Sequence, residues 1–274
     1  MLFGLAFVPI HGVELMRFRT ALLSLPAAIG LSFPACPSAF AQEGLADAKF
    51  QASLIAGVTT DYVYRGVSLS GERPTGLVMV DASYGIVYFS GLVVGNELGE
   101  DALGRSIGDV EADATIGITP SFGRVEFNLG AKYTGYPNGR DVVVGTLIPR
   151  ERDFIEYFAG AKVKVTEDVS LGGMVYWTPD FYYETGEVRT LEAQGTVALP
   201  TVLGLQSRFT TAVGKVESEA RDIVSPGHGY TYVSAGIVGQ LDALVFDLRY
   251  WNTDVRSLDG FEQRLVLSVG FKVP

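Results

Sequence analysis

The chain has 274 residues, of which 47% are hydrophobic, 11% aromatic and 19% charged, and its formal net charge is −10. So apolar a composition excludes a disordered chain, and the acidic balance argues against a nucleic-acid binder, which needs a basic face. One Cys and two His exclude a disulfide framework or a Cys-based zinc site and leave few acid–base or metal options, while 33 Gly point to turns and strands.

The first 41 residues differ from the rest. From Met16 the chain reads Arg17-Phe-Arg19, an apolar run from Ala21 to about Leu31, and small residues ending Ala39-Phe40-Ala41. That is the layout of a signal peptide with cleavage after Ala41. The apolar run is too short to span a bilayer as a helix, which takes about 20 residues. Met16 reads as the true start, and the alternative is an uncleaved anchor, which Glu14, Arg17 and Arg19 interrupt. Cys36 raises a lipoprotein alternative, but Phe33-Pro34-Ala35 matches a lipobox poorly. Residues 42–274 then form one domain.

No later stretch reaches 18 apolar residues. The chain instead alternates polar and apolar residues in about twelve runs, near 50–64, 74–84, 86–96, 109–119, 124–136, 153–165, 169–178, 187–199, 203–215, 229–240, 243–252 and 261–272. In 124–133, for example, Arg124, Glu126, Asn128, Gly130 and Lys132 alternate with Val125, Phe127, Leu129, Ala131 and Tyr133. Period two is the mark of a strand, and runs of roughly ten residues match a tilted crossing of a bilayer. Tight connections around Gly85, Pro120–Gly123, Thr166–Asp168, Pro200–Val202 and Leu241–Asp242 alternate with long ones at 65–73, 97–108, 137–152, 179–186, 216–228 and 253–260. Short turns at one rim and long loops at the other predict an all-β fold, a transmembrane antiparallel barrel of about 12 strands with short periplasmic turns and long extracellular loops.

In such a barrel the apolar face meets lipid and the polar face lines the lumen. The polar face carries Glu126, Lys132, Glu156, Lys162, Glu192, Arg208, Asp247, Arg249, Glu262 and Arg264, and the preceding strand aligns Asp109, Glu111 and Asp113 with Arg124 as a pairing partner. Asp61 and Arg65, four apart, would share one strand face. These sixteen residues are the candidate pore lining. Aromatics near run ends predict two interfacial girdles. Tyr62, Tyr64, Tyr133, Tyr136, Trp177, Tyr230, Tyr232, Tyr250 and Trp251 lie toward the long loops, and Phe50, Tyr84 and Phe122 toward the short turns.

The first strand reads Gly57-Val-Thr-Thr-Asp61-Tyr62-Val63-Tyr64-Arg65-Gly66-Val67-Ser68. It resembles the opening motif of the TorF-type porins of Gram-negative bacteria, where Gly-Val-Thr-Ser-Asp-Tyr-Val-Phe/Tyr-Arg-Gly-Val-Ser follows the signal peptide. About 15 residues carry the likeness strongly. It implies an outer-membrane porin, inserted by the barrel assembly machinery, with a terminal aromatic for that machinery to read. Phe271 fits that role, although Lys272-Val273-Pro274 follow it.

The expected function is passive diffusion of small hydrophilic solutes or ions through a charged lumen. The alternative is a structural or adhesive barrel closed by its own charges. A barrel enzyme is disfavoured because His228, the one His after the leader, lies in a turn-like loop with no nucleophile motif. A soluble barrel is disfavoured by the sorting of the loops. Expected partners are outer-membrane lipid, the assembly machinery and small solutes or ions, not nucleic acid, and no motif calls for a cofactor or metal. Loop 137–152, with Arg140, Arg150 and Arg152, is a candidate for folding into the lumen.

Overall fold

Strands that cross hydrocarbon must satisfy every backbone donor and acceptor among themselves, which only a closed sheet does. The computed structural model describes residues 49–97, 108–139, 152–182, 184–219, 229–256 and 258–274. Among them every regular element is a strand: β1 (Phe50–Thr59), β2 (Val63–Tyr64), β3 (Val67–Ser68), β4 (Thr75–Tyr84), β5 (Val87–Gly95), β6 (Val110–Ile118), β7 (Ser121–Phe122), β8 (Val125–Gly135), β9 (Phe154–Lys164), β10 (Val169–Thr178), β11 (Val188–Val202), β12 (Leu205–Ser218), β13 (Gly229–Leu241), β14 (Leu244–Thr253) and β15 (Arg264–Val273). Twelve long strands pair antiparallel with their chain neighbours, and β1 pairs β15 from Leu54↔Val273 to Thr59↔Ser268. The β6–β8 pairing, Ala112↔Gly135 to Ile118↔Leu129, completes the ring. The wall is a closed 12-strand antiparallel β-barrel, and β1 begins and β15 ends on the short-turn side. The leader read over 1–41, His228, and Arg140 and Arg150 of loop 137–152 lie outside the described residues.

Several boundaries differ from the sequence reading: β12 runs on to Ser218, and Ser121–Phe122 of the predicted turn at Pro120–Gly123 pair with β8. The first strand stops at Thr59 rather than residue 64, because the chain turns into the lumen there. The predicted turn at Pro200–Val202 is strand: β11 runs on to Val202 with a register shift between Leu199 and Val202. A bulge is one of the few places in a sheet that tolerates proline. The reversal falls instead on Leu203 and Gly204, whose φ of 52° and 83° fit a two-residue hairpin turn. The last strand begins at Arg264 rather than residue 261.

The outer face is apolar in rows. Phe209, Ile237, Leu248 and Leu267 stand side by side across β12 to β15 and all point outward. A continuous apolar belt of this kind marks contact with something other than water, and on a closed barrel it is the lipid-facing band. Tyr133, Tyr157, Trp177 and Tyr250 flank it on the long-loop side, and Phe50, Tyr84 and Phe122 on the short-turn side, all exposed. Tyr157 stacks on Trp177 at 5.7 Å between centroids. The Trp177 Nε1–H donates to Glu187 at 3.0 Å, and this bond holds that rim carboxyl below its ordinary value.

The inner face explains many of the glycines. The Tyr232 ring (β13) lies flat across Gly214 (β12), where a Cβ would sit 2.3 Å from the ring, and its hydroxyl donates to Glu192 on β11. Tyr88 (β5) crosses Gly117 (β6) in the same way and donates at 2.9 Å to Asn128 on β8. At both places a long side chain bridges three strands by crossing a middle one that lacks a Cβ. Gly214→Val is therefore expected to expel the Tyr232 ring and cost ~1–3 kcal/mol through overpacking. The check is the urea midpoint of the barrel refolded in lipid vesicles, which should fall.

Candidate functional site

The first long loop is the feature that sequence periodicity hid. Residues 61–70 do not extend β1; they fold into the barrel. β2 and β3 form a hairpin, Val63↔Ser68 and Tyr64↔Val67, in a sheet of its own. Its turn residues are Arg65 and Gly66, with φ of 50° and 86°. Two consecutive left-handed residues make the tight turn that suits a hairpin's twist. Gly66 is required at close quarters too, since a Cβ there would lie 2.8 Å from Thr253 Cγ2.

Asp61 and Arg65 consequently do not share a strand face. The Asp61 carboxylate accepts hydrogen bonds from Ser68 Oγ at 2.7 Å and Ser70 Oγ at 2.8 Å, which tie the base of the hairpin together. Its other oxygen pairs with Arg264 Nη1 on β15 at 2.8 Å. The Arg65 guanidinium, 4% exposed, pairs with Glu156 on β9 at 2.8 Å and lies over the Tyr64 and Tyr176 rings at 4.7 and 4.4 Å. β15 and β9 stand six strands apart in a ring of twelve. The segment therefore spans the lumen from wall to opposite wall.

Its flanks pack against the surrounding wall. Tyr62 donates to Glu111 on β6 and packs with Ile55, Leu77, Met79, Leu92, Val94 and Val245. Val63 packs in a second cluster that includes Val188, Val216, Tyr232, Trp251 and Val266. The Tyr64 hydroxyl lies 3.3 Å from Glu156, and Lys132 Nζ sits 4.6 Å above the Tyr64 ring and 3.7 Å from Asp113. These contacts make the long-loop half of the interior a packed plug with acid–base pairs at its margin.

Below the plug the lumen is polar and part-exposed. Gln51, Ser53, Asp81, Lys162, Gln194, Thr196, Arg208, Gln240 and Lys272 face inward from the short-turn half at half-buried or exposed positions. Lys162 pairs with Glu126 at 2.8 Å. Arg249 donates to Asp247 from Nε at 3.1 Å and Nη2 at 3.0 Å.

Of the sixteen sequence-predicted residues, Asp61, Arg65, Glu111, Glu156, Glu192, Asp247 and Arg249 are buried inside the barrel, and Asp113, Glu126, Lys132, Lys162, Arg208 and Arg264 face inward at intermediate exposure. Asp109, Arg124 and Glu262 lie outside the strands, at the rims. Asp109 bonds with Asn138, Arg124 reaches the Val165 carbonyl at 3.3 Å, and Glu262 pairs with Arg264 at 3.4 Å. The girdle reading is corrected for Tyr62, Tyr64, Tyr136, Tyr230, Tyr232 and Trp251, which point into the barrel rather than toward lipid. They fill lumen volume, and the hydroxyls of Tyr62, Tyr64 and Tyr232 reach carboxylates that lipid could not offer.

Sequence reasoning passed over Asp81 and Lys272. Asp81 follows Leu77 and Met79 on the inner face of β4, where apolar residues occupy both faces and the period vanishes. Lys272 closes the last run, 261–272, as the first of the three residues that follow Phe271.

No protein-family model matches the chain, and no curated protein matches it. Among solved structures the chain is similar to the NanC porin, with a TM-score of 0.48 and 9% identity over 81% of this chain and 100% of that one. It is similar to OmpF of Salmonella typhi in complex with daunomycin, with a TM-score of 0.40 and 9% identity over 82% of this chain and 98% of that one. It is similar to an anion-selective porin from Comamonas acidovorans, with a TM-score of 0.37 and 11% identity over 82% of this chain and 99% of that one.

Proposed function

We propose that the chain is an outer-membrane pore of the porin kind, akin to the TorF-type porins, that passes small hydrophilic solutes or ions along a charged lumen. The observation that carries the reading is the opposition of the two faces of one wall. Outside stands a continuous apolar belt, and inside stand ionisable groups of both signs deep within the strands. Charges of that number are costly in a dry interior and ordinary in a wet one. The side-chain hydroxyls of Thr178, Thr190 and Ser234 support a hydrophilic path as well: each is buried on the inner face with no protein partner among the described residues. In this reading the leader over residues 1–41 directs export, the assembly machinery inserts the barrel, and the inward residues of both signs select among solutes.

The test is conductance of the refolded chain in a planar bilayer. Discrete steps with a reproducible reversal potential in a potassium chloride gradient are expected. Lys132→Glu adds negative charge beside Asp113, so its reversal potential should move toward that of the cation. An inserted, heat-modifiable barrel that never conducts would transfer the reading to a closed structural or adhesive barrel. One observation favours that second reading: the apolar packing of Tyr62 and Val63 across the long-loop half.

A further inference from the structure

The hairpin takes no part in the hydrogen-bond ladder of the barrel. β1 and β4 pair with each other over ten positions, from Phe50↔Tyr84 to Thr59↔Thr75. The wall is therefore complete without the residues between them. β2 and β3 belong to a separate two-stranded sheet, so their removal from the lumen breaks no hydrogen bond of the barrel ladder. The backbone ties of the segment run to loops: the Ser68 N–H donates to the Gly260 carbonyl at 2.8 Å, and the Glu97 N–H to the Leu69 carbonyl at 2.6 Å. At the base, Gly71 and Glu72 turn the chain with φ of 61° and 59°.

The tip carries the second clue. Arg65 holds a left-handed φ of 50°, a conformation that favours glycine and costs most other residues. Glycine there would suit the turn better. The arginine side chain instead makes the 2.8 Å ion pair with Glu156 and lies 4.4 Å from the Tyr176 ring, contacts that hold the tip to the wall opposite the base.

Resting on the pore reading above, the geometry points to a gate: residues 61–70 are a displaceable plug, and the Arg65–Glu156 pair is its latch. When the latch holds, the hairpin blocks the long-loop half. When it breaks, the hairpin moves away from β9 and the path through the barrel opens.

The experiment compares four forms of the full chain, each refolded into a planar bilayer: the unaltered protein, E156Q, S68C/G260C, and a variant in which residues 63–68 are replaced by Asn-Gly. The replacement is short enough because the Leu69 N–H already donates to the Tyr62 carbonyl at 2.7 Å. A Cβ at Gly260 would lie 3.9 Å from Ser68 Cβ, within the range of a disulfide. The sequence has one cysteine, Cys36 in the leader region, which is changed to Ser in the S68C/G260C form. Removing one member of a buried ion pair should raise the open-to-closed ratio of E156Q by about 100-fold. S68C/G260C should be silent when oxidised and conduct when reduced, and it carries the test if E156Q does not fold.

E156Q indistinguishable from the unaltered protein, while the Asn-Gly form conducts, would overturn the latch and leave the pore reading standing. Oxidised S68C/G260C conducting as well as the reduced form would overturn the moving plug. A folded Asn-Gly form that stays silent would remove the pore reading, and the gate with it.

Discussion

Ile237→Arg should lower the stability of the folded barrel by ~2–4 kcal/mol, the cost of an arginine near the midplane of the lipid face. Ile237 is at the middle of β13 and points outward between Phe209 and Leu248. A guanidinium there has no acid within the belt to meet, and the nearest water lies half a strand away in either direction. Thr196→Arg is the control, since Thr196 faces inward on β11 in the part-exposed half of the lumen. It should change stability by less than ~1 kcal/mol, as a substitution away from packed or paired groups does. Urea unfolding in lipid vesicles measures both. Equal effects would mean that the two faces are not lipid and lumen.

The wall was legible because a barrel writes its geometry into the chain with period two. The alternation over 124–133 gave β8 and its faces, and the short-and-long rhythm of the connections gave the closed ring. What was not legible has a common cause: the rule that polar residues point in and apolar residues point out fails wherever the lumen is itself packed. Leu77, Met79, Leu92 and Val94 point inward because Tyr62 of the hairpin covers them. Their strands then look apolar on both faces, and Asp81 is lost among them. Tyr232 and Trp251 read as girdle residues for the same reason, since an aromatic near a strand end carries no mark of which side it faces. The hairpin could not be separated from β1 by pattern, because Val58, Thr59, Asp61, Tyr62 and Tyr64 keep up a plausible alternation through the point where the chain leaves the wall. The one local cue was Arg65-Gly66, a dipeptide compatible with a tight turn, and the resemblance had marked the same residues without indicating their shape.

Asp247→Ala should cost ~3–5 kcal/mol, the loss that follows removal of one member of a buried ion pair. Asp247 is 1% exposed, and one of its oxygens accepts both Nε and Nη2 of Arg249. Without the carboxylate, Arg249 keeps the hydrogen bond from Nη2 to Thr210, 2.9 Å across Gly236, and its place 6.0 Å over the Trp251 ring, but no paired carboxylate at hydrogen-bond distance. Arg208 lies in register with Asp247 through Val238, so a second guanidinium stands near the same spot. Adding Arg249→Met removes the stranded charge and should restore most of the loss, and the double-mutant cycle isolates the coupling. The size of that coupling decides between the two readings of the lumen. Water reaching the pair from the short-turn vestibule would screen it to below ~1 kcal/mol, as at an exposed ion pair, and a wet middle section is what a pore requires. A coupling of several kcal/mol would mean that the dry region extends from the hairpin down to β14. Opening would then require more than release of Arg65, because the barrel below the plug would be closed by its own charge pairs.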